Sequence, residues 1–213
     1  MSRYTGPVCK LCRREQEKLF LKGDRCNTPK CAMDRNGRAY APGQHGPTAR
    51  RRATAYSVQL REKQKLRRIY GVTERVFRSY FSKATRQEGI AGDNFLRILE
   101  RRLDNVVYRL GFTTSRPAAR QLVAHGNISV NGRKVDIPSF LVKPGMVVEL
   151  NEKIANQEFI QNSLNSARVR KVPAWLKLDD AKAKGEVINL PNRDEIAIVI
   201  NEKVIVEYYN RMG

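Results

Sequence analysis

Leu103-Asp104-Asn105-Val106-Val107-Tyr108-Arg109-Leu110-Gly111-Phe112, then Ser115-Arg116-Pro117-Ala118-Ala119-Arg120-Gln121-Leu122-Val123, then Val130-Asn131-Gly132: these three runs decide the fold. Leu99, Leu103, Val106 and Leu110 recur at helical spacing, which predicts one long helix from a cap at Asp93 to a stop at Gly111. Ser115 is placed to cap a second, shorter helix that carries Pro117 in its first turn and ends near His125-Gly126. Ile128 and Val130 then alternate with polar residues up to Asn131-Gly132, a dipeptide suited to the left-handed angles of a tight hairpin turn. Val135 and Ile137 resume the alternation, and after Pro144-Gly145 the segment Met146 to Leu150 predicts a further strand. Residues 93–150 should therefore form a small domain of two helices plus a small antiparallel sheet.

Outward from this stretch, Tyr56 to Tyr70 predicts a helix with Gly71 as its stop. A second helix is expected from about Thr73 to Gln87, with Phe77, Phe81 and Ala84 on one face and Val76 and Tyr80 beside them. Residues 40–55 mix turn formers with the triplet Arg50-Arg51-Arg52, a loop composition, and residues 1–45 are short of periodic apolar positions. Beyond the small domain, residues 151–170 predict a polar helix or linker, and Val187–Leu190 and Ile196–Ile200 are strand-like. Glu202 to Tyr209 fits a strand by its β-branched residues and a helix by the spacing of Val204, Ile205 and Tyr208. The expected class is α+β, in four parts: an N-terminal arm at 1–45, a helical part at 46–92, the small domain at 93–150, and a linker and C-terminal segment at 151–213 that packs back on the helical part.

Charge narrows the partner. The 213 residues hold 41 Lys+Arg against 21 Asp+Glu, a formal net charge of +20. Residues 1–90 account for +15 of it and residues 91–213 for +5. A compact chain this basic repels itself unless a polyanion neutralises it, and nucleic acid is the usual one. No apolar stretch approaches the roughly 20 residues of a bilayer span, and Met1 to Pro7 has no apolar signal core. A cytosolic, soluble protein with no membrane partner is expected.

Cys9, Cys12, Cys26 and Cys31 give the pattern C-x2-C-x13-C-x4-C. Two close pairs can bring four thiolates to the corners of a tetrahedron around one ion. Disulfides do not persist in the cytosol, so a structural metal explains the paired set better than inert thiols do. Zinc is the expected ion; an iron–sulfur cluster also takes four cysteines, and spacing leaves it open. A closed four-cysteine site has no open coordination position for catalysis. Lys10, Arg13 and Arg14 would ring the site, as suits a knuckle held against phosphate.

The three runs quoted first resemble the small RNA-binding domain of the ribosomal protein S-four family. The likeness extends to Arg3-Tyr4-Thr5-Gly6-Pro7, Tyr40-Ala41-Pro42-Gly43-Gln44-His45-Gly46, Gln59-Leu60-Arg61-Glu62-Lys63-Gln64-Lys65, Arg67-Arg68-Ile69-Tyr70-Gly71, and Asn201-Glu202-Lys203 leading into Val206-Glu207-Tyr208-Tyr209. Only residues 151–185 match weakly. The resemblance is to a bacterial-type member carrying the N-terminal cysteines. It implies a C-terminal helix, early binding of small-subunit ribosomal RNA near a multi-helix junction, and a contribution to assembly and translational accuracy. It also implies a position where messenger RNA (mRNA) enters, beside neighbouring ribosomal proteins, chiefly S-five. The candidate RNA-binding residues are Arg3, Lys10, Arg13, Arg14, Arg50, Arg51, Arg52, Arg61, Lys63, Lys65, Arg67, Arg68, Arg101, Arg102, Arg116, Arg120, Arg133 and Lys134. Arg116 and Arg120, four apart, share a helical face, and fixed cations on a rigid platform suit the phosphates and shape of A-form RNA.

Other readings are weaker. Arg102-Leu103-Asp104 echoes the Arg-Leu-Asp around the catalytic Asp of pseudouridine synthases, which, like some tRNA synthetases, can carry this small domain. Fewer than 65 residues follow Leu150, too few for a catalytic domain, and no nucleotide-binding glycine loop is present. His45 and His125 are the only histidines and lie far apart, so no acid–base centre and no small-molecule substrate are expected. A zinc-containing DNA-binding regulator would need a dimerisation element and a base-reading helix at its zinc site. Arg50, Arg51 and Arg52 suit an RNA backbone, and Trp175, the only tryptophan, is expected to pack in a core.

Overall fold

The structure, a computed structural model, describes residues 3–34, 39–48, 54–179 and 183–212. The chain folds as two compact units, Met1–Gly92 with Val199–Gly213, and Asp93–Ile198. Among the described residues no helix is long and apolar enough to cross a membrane.

In the first unit, α1 (Cys9–Glu15) and a short 3-10 turn (Gly23–Asn27) form the arm. Helix α2 (Ala55–Tyr70) starts at Thr54, whose side chain accepts the Ser57 N–H, and stops at Gly71 in the left-handed conformation. Helix α3 (Glu74–Thr85) buries Phe77, Tyr80, Phe81 and Ala84, close to the expected apolar face. The ambiguous last segment is helical, α9 (Glu202–Met212). It buries Ile205, Tyr208 and Tyr209. The Tyr209 ring stacks on Phe81 with centroids 4.5 Å apart, and its hydroxyl donates to Glu74 Oε1 at 3.1 Å. Burial and the Glu74 carboxylate both push that phenol's pKa up.

The second unit contains α4 (Ala91–Glu100), whose first residues belong to the first unit, α5 (Leu103–Arg109) and α6 (Arg116–Ala124). The single helix expected from Asp93 to Gly111 is therefore two helices, and Asp93 lies in the first turn of α4 rather than at its cap. The interruption is tertiary. Arg102 is extended (φ −63°, ψ 136°), the Leu103 N–H donates to Phe140 O at 2.8 Å, and the Val142 N–H donates to Arg101 O at 3.0 Å. As expected, Ser115 Oγ accepts the Ala118 N–H and Pro117 sits in the first turn of α6.

The sheet is antiparallel throughout, in the order β2-β1-β3-β5-β4, with β1 (Ile128–Val130), β2 (Arg133–Lys134), β3 (Val147–Leu150), β4 (Leu176–Asp179) and β5 (Lys184–Val187). Asn131 and Gly132 make the hairpin turn with φ of 51° and 76°. Residues 151–198 group with the small domain in the second unit, and Val199–Gly213 groups with the helical part in the first. Strand β5 pairs with β3, Val148 opposite Gly185, and covers an edge that would otherwise present unpaired backbone. A Cβ on Gly185 would lie 2.4 Å from both Leu110 methyls, so any side chain there would force the buried Leu110 to move. The strand expected at Val187–Leu190 is displaced to Lys184–Val187, and Ile196–Ile200 is not a strand. Ile137, expected to continue the alternation, is exposed.

The segment after β3 is helical, α7 (Glu152–Ala155) and α8 (Glu158–Arg170), and α8 lends Ile160 and Leu164 to the core. That core joins Leu103, Val106, Val107 and Leu110 of α5 to Leu122 and Val123 of α6, Val148 and Leu150 of β3, and the buried Trp175.

Candidate nucleic-acid interface

The face of α5 and α6 carries two arginines, each tied to an acid or amide beneath it. Glu100 is fully buried. Its carboxylate accepts from Arg109 Nε at 3.0 Å and Nη2 at 2.7 Å, and from Asn105 Nδ2 at 2.8 Å. Asn105, so fixed, turns its Oδ1 to accept from Arg116 Nε at 2.8 Å, and the Arg116 guanidinium lies 4.5 Å over the Tyr108 ring. Nearby, Asp104 accepts from Arg102 Nε at 3.0 Å and Nη2 at 2.6 Å and from Arg120 Nη1 at 3.2 Å. Arginine on a rigid mount meets a phosphate without losing much rotamer freedom, which is what preorganised recognition requires.

Arg102 does not belong to this surface. Its side chain is 2% exposed and its charge is consumed by Asp104. A buried cation is tolerated only when paired, and the extended backbone at Arg102 turns the side chain inward. Arg101 is half-buried and donates to Val142 O at 2.9 Å; burial and the neighbouring Arg97 lower its pKa. Arg133 and Lys134 are exposed just past the hairpin turn. Arg116 and Arg120 remain the best-mounted members.

In the first unit the basic run of α2 is largely spent inside the protein. Lys63, at 3% exposure, pairs with Glu74 at 2.7 Å and lies 5.0 Å over the Tyr208 ring, so it is withdrawn from the candidate RNA surface. Arg61 and Arg68 both bind Glu15, a carboxylate 1% exposed. Burial raises the Glu15 pKa in spite of Arg68 and Arg61, and lowers that of Arg68. Lys65 pairs with Glu17 and Glu62, and Arg67 with Gln64 and Glu74. In the arm, Arg3, Lys10 and Arg14 are exposed, whereas Arg13 donates to Tyr40 O and its guanidinium lies 5.0 Å over the Tyr40 ring. Arg50, Arg51 and Arg52 lie outside the described residues.

Cys12, Cys26 and Cys31 are buried and Cys9 is half-buried. Cys26 Sγ accepts the Lys22 N–H at 3.4 Å. Burial raises the pKa of Cys12 and Cys26; the charges of Cys26, Cys9 and Cys31 add to the first shift and those of Cys31 and Cys9 to the second. Among the described residues no group of three or more His, Cys, Asp or Glu side chains stands in metal-holding geometry.

One set of cations was missed by the sequence reasoning. Arg75, Arg78, Lys83 and Arg86 line the outer face of α3 and its C-cap, all exposed. The signal was present in the spacing, because these positions fall opposite Phe77, Phe81 and Ala84.

Two family descriptions match the chain: the ribosomal protein S4/S9 N-terminal domain over residues 3–100, and the S4 domain over residues 101–148. The S4-domain match thus ends before β4 and β5. Small ribosomal subunit protein uS4 of Desulfitobacterium hafniense is 60% identical over 211 residues, spanning 99% of this chain and 100% of the relative. The proteins of the same name from Thermus thermophilus and Thermodesulfovibrio yellowstonii are 55% and 52% identical over the same spans.

Proposed function

The chain belongs to the ribosomal protein S4 family, and from that premise we infer that it is a structural, non-enzymatic constituent of the small ribosomal subunit in the cytoplasm. It binds small-subunit ribosomal RNA. The observation that carries this reading is likeness along the whole chain, arm and S4 domain together, to proteins named for that subunit. The arginine mounts on Glu100, Asn105 and Asp104 supply a physical means, since fixed cations meet phosphates and A-form shape without reading bases. The protein should sediment with small subunits in cell extract and leave them only at high salt. Sedimentation as a free monomer would contradict the reading.

Three finer statements belong to the same proposal. The chain binds early, at a multi-helix junction, and nucleates assembly beside S-five. It lines the side where mRNA enters and contributes to accuracy there, with Arg50, Arg51 and Arg52 against the messenger. Replacing all three with Ala should slow ribosomes on a stable hairpin while assembly proceeds; unchanged passage would count against the placement.

Third, Cys9, Cys12, Cys26 and Cys31 hold one structural ion, zinc or the iron of a cluster. The residues fit such a group in kind: soft donors, three of them buried, with a backbone N–H aimed at Cys26 Sγ that favours thiolate. A bound ion would close the arm, which among the described residues otherwise buries only Leu19, Leu21 and Gly23 besides Cys12, Cys26 and Cys31. Elemental analysis of anaerobically prepared protein should give one zinc per chain, or several irons with sulfide. Less than about a tenth of an equivalent would end the idea.

A further inference from the structure

Helix α1 is a short rod with a different anchor at each end. Cys9 and Cys12, two of the four thiols given to an ion above, stand in its first turn, and Glu15 is its last residue. The three positions are three apart, so they step round one side of the helix within an arc of about 120°. The Glu15 side chain is 1% exposed, and its carboxylate accepts from Nη1 of both Arg61, at 3.3 Å, and Arg68. Those arginines lie two turns apart along α2, so one buried carboxylate holds two levels of that helix. Just past the end of α1, Glu17 Oε2 meets Lys65 Nζ at 2.8 Å. The backbone of Cys12 also links the anchors. Its carbonyl accepts from the N–H of Gln16, which has left-handed angles (φ 55°), and from that of Glu17 at 3.3 Å.

A helix of seven residues does not hold itself together in water. Leu11, the only aliphatic residue of α1, is half-buried, so apolar packing does little to keep it formed. Its order depends on what is fixed at its two ends, the thiols and the carboxylate. Both anchors need the same helical state, so forming one lowers the ordering cost of the other, and the coupling is equally strong in both directions. Charge follows order: where α1 melts, Arg61 and Arg68 lose their acid and α2 becomes more cationic. We propose that Glu15 couples the cysteine site to α2, so that a held ion tightens the Glu15 brace on Arg61 and Arg68, and a loosened brace weakens the hold on the ion. Glu15 is thus a positioning residue for Cys9 and Cys12, acting through α1 rather than as a ligand. This rests on the metal reading given above.

The test uses the full chain loaded with zinc under anaerobic conditions, and zinc affinity is measured by competition with a chromophoric chelator. Glu15→Gln keeps the volume and removes the charge, and Arg61→Gln/Arg68→Gln removes the other half of the brace. Each should weaken zinc binding about five- to fifty-fold, within the range usual for coupled sites. Glu74→Ala loosens the same unit at Lys63, Arg67 and Tyr209 and leaves the Glu15 brace in place. It should change zinc affinity by less than about twofold, since separate sites act independently. In the wild type, removing zinc should raise phenylglyoxal labelling of Arg61 and Arg68, mapped by mass spectrometry. In Glu15→Gln the labelling should be high with or without zinc. Wild-type zinc affinity in both brace variants would overturn the proposal, as would an equal loss in Glu74→Ala or wild-type labelling indifferent to zinc. A wild-type chain that takes up neither zinc nor iron fails the metal reading instead, and with it the premise.

Discussion

The two units use positive charge differently. In Asp93–Ile198 the arginines of the platform are mounted on Glu100, Asn105 and Asp104, above an apolar core that runs from Leu103 to Val187. That unit is held together mainly by hydrocarbon, with the buried Arg102–Asp104 and Arg109–Glu100 pairs set into it. In Met1–Gly92 with Val199–Gly213, charge is part of the cohesion: Glu15 joins α1 to Arg61 and Arg68 of α2, and Glu74 joins α3 to Lys63 and to Tyr209 of α9. A basic segment can thus be a binding surface or an internal brace, and composition alone does not distinguish them. What distinguishes them is whether the fold brings an acid to each cation. It does on α2 and does not on the outer face of α3.

The contrast can be broken first at the apolar core. Leu103→Ala removes a fully buried side chain and should cost about 2–5 kcal/mol. Hydrogen exchange should then speed up in α5, α6 and the sheet and leave α2 and α9 protected. Equal loss in both units would mean that they unfold as one. Gly185→Ala is the next step down. Its Cβ would enter the space of the Leu110 methyls, so about 1–3 kcal/mol should be lost in denaturant unfolding. A neutral result would return residues 176–187 to the status of a linker.

The brace is tested at Lys63 and Glu74. Glu74→Ala strands a buried ammonium and should cost roughly 1–3 kcal/mol, because removing one partner leaves the other unsatisfied. Lys63→Met removes the charge and keeps the volume, so it should be nearly neutral to stability and to RNA affinity. A large loss of RNA binding in Lys63→Met would make Lys63 a contact after all. Arg116→Ala and Arg120→Ala sit at the small end for stability, within about 0.5 kcal/mol, yet each should lower the salt slope of RNA binding by roughly one. Arg116→Lys sharpens the point: it keeps the charge and loses the Nε bond to Asn105 and the planar stack on Tyr108, so affinity should fall while the slope holds.

Features fixed by local chemistry were legible in the sequence. Asn131-Gly132 tolerates positive φ, Ser115 has a hydroxyl for the Ala118 N–H, and Gly71 ends α2, so each boundary was found within a residue or two. The break at Arg102 was not, because no proline or glycine marks it; backbone bonds to Phe140 and from Val142 impose it. Strand β4 was missed because Leu176–Asp179 offers only two alternating leucines and becomes a strand by pairing with β5. The candidate cations divided for the same reason. Arg116 and Arg120 share a face by spacing alone, whereas the burial of Arg102 and Lys63 depends on acids supplied by the fold. The apolar face of α3 was recognised, and its cationic opposite face followed from the same periodicity without being drawn.

The most direct test of the RNA-binding account is filter binding of the wild-type chain to a small-subunit junction RNA over a salt series, with duplex DNA and an unstructured RNA as competitors. The account predicts preference for the junction and a slope of several units, with Arg116→Ala and Arg120→Ala each reducing both affinity and slope. Preference for duplex DNA or unstructured RNA, or two arginine variants indistinguishable from wild type, would contradict it.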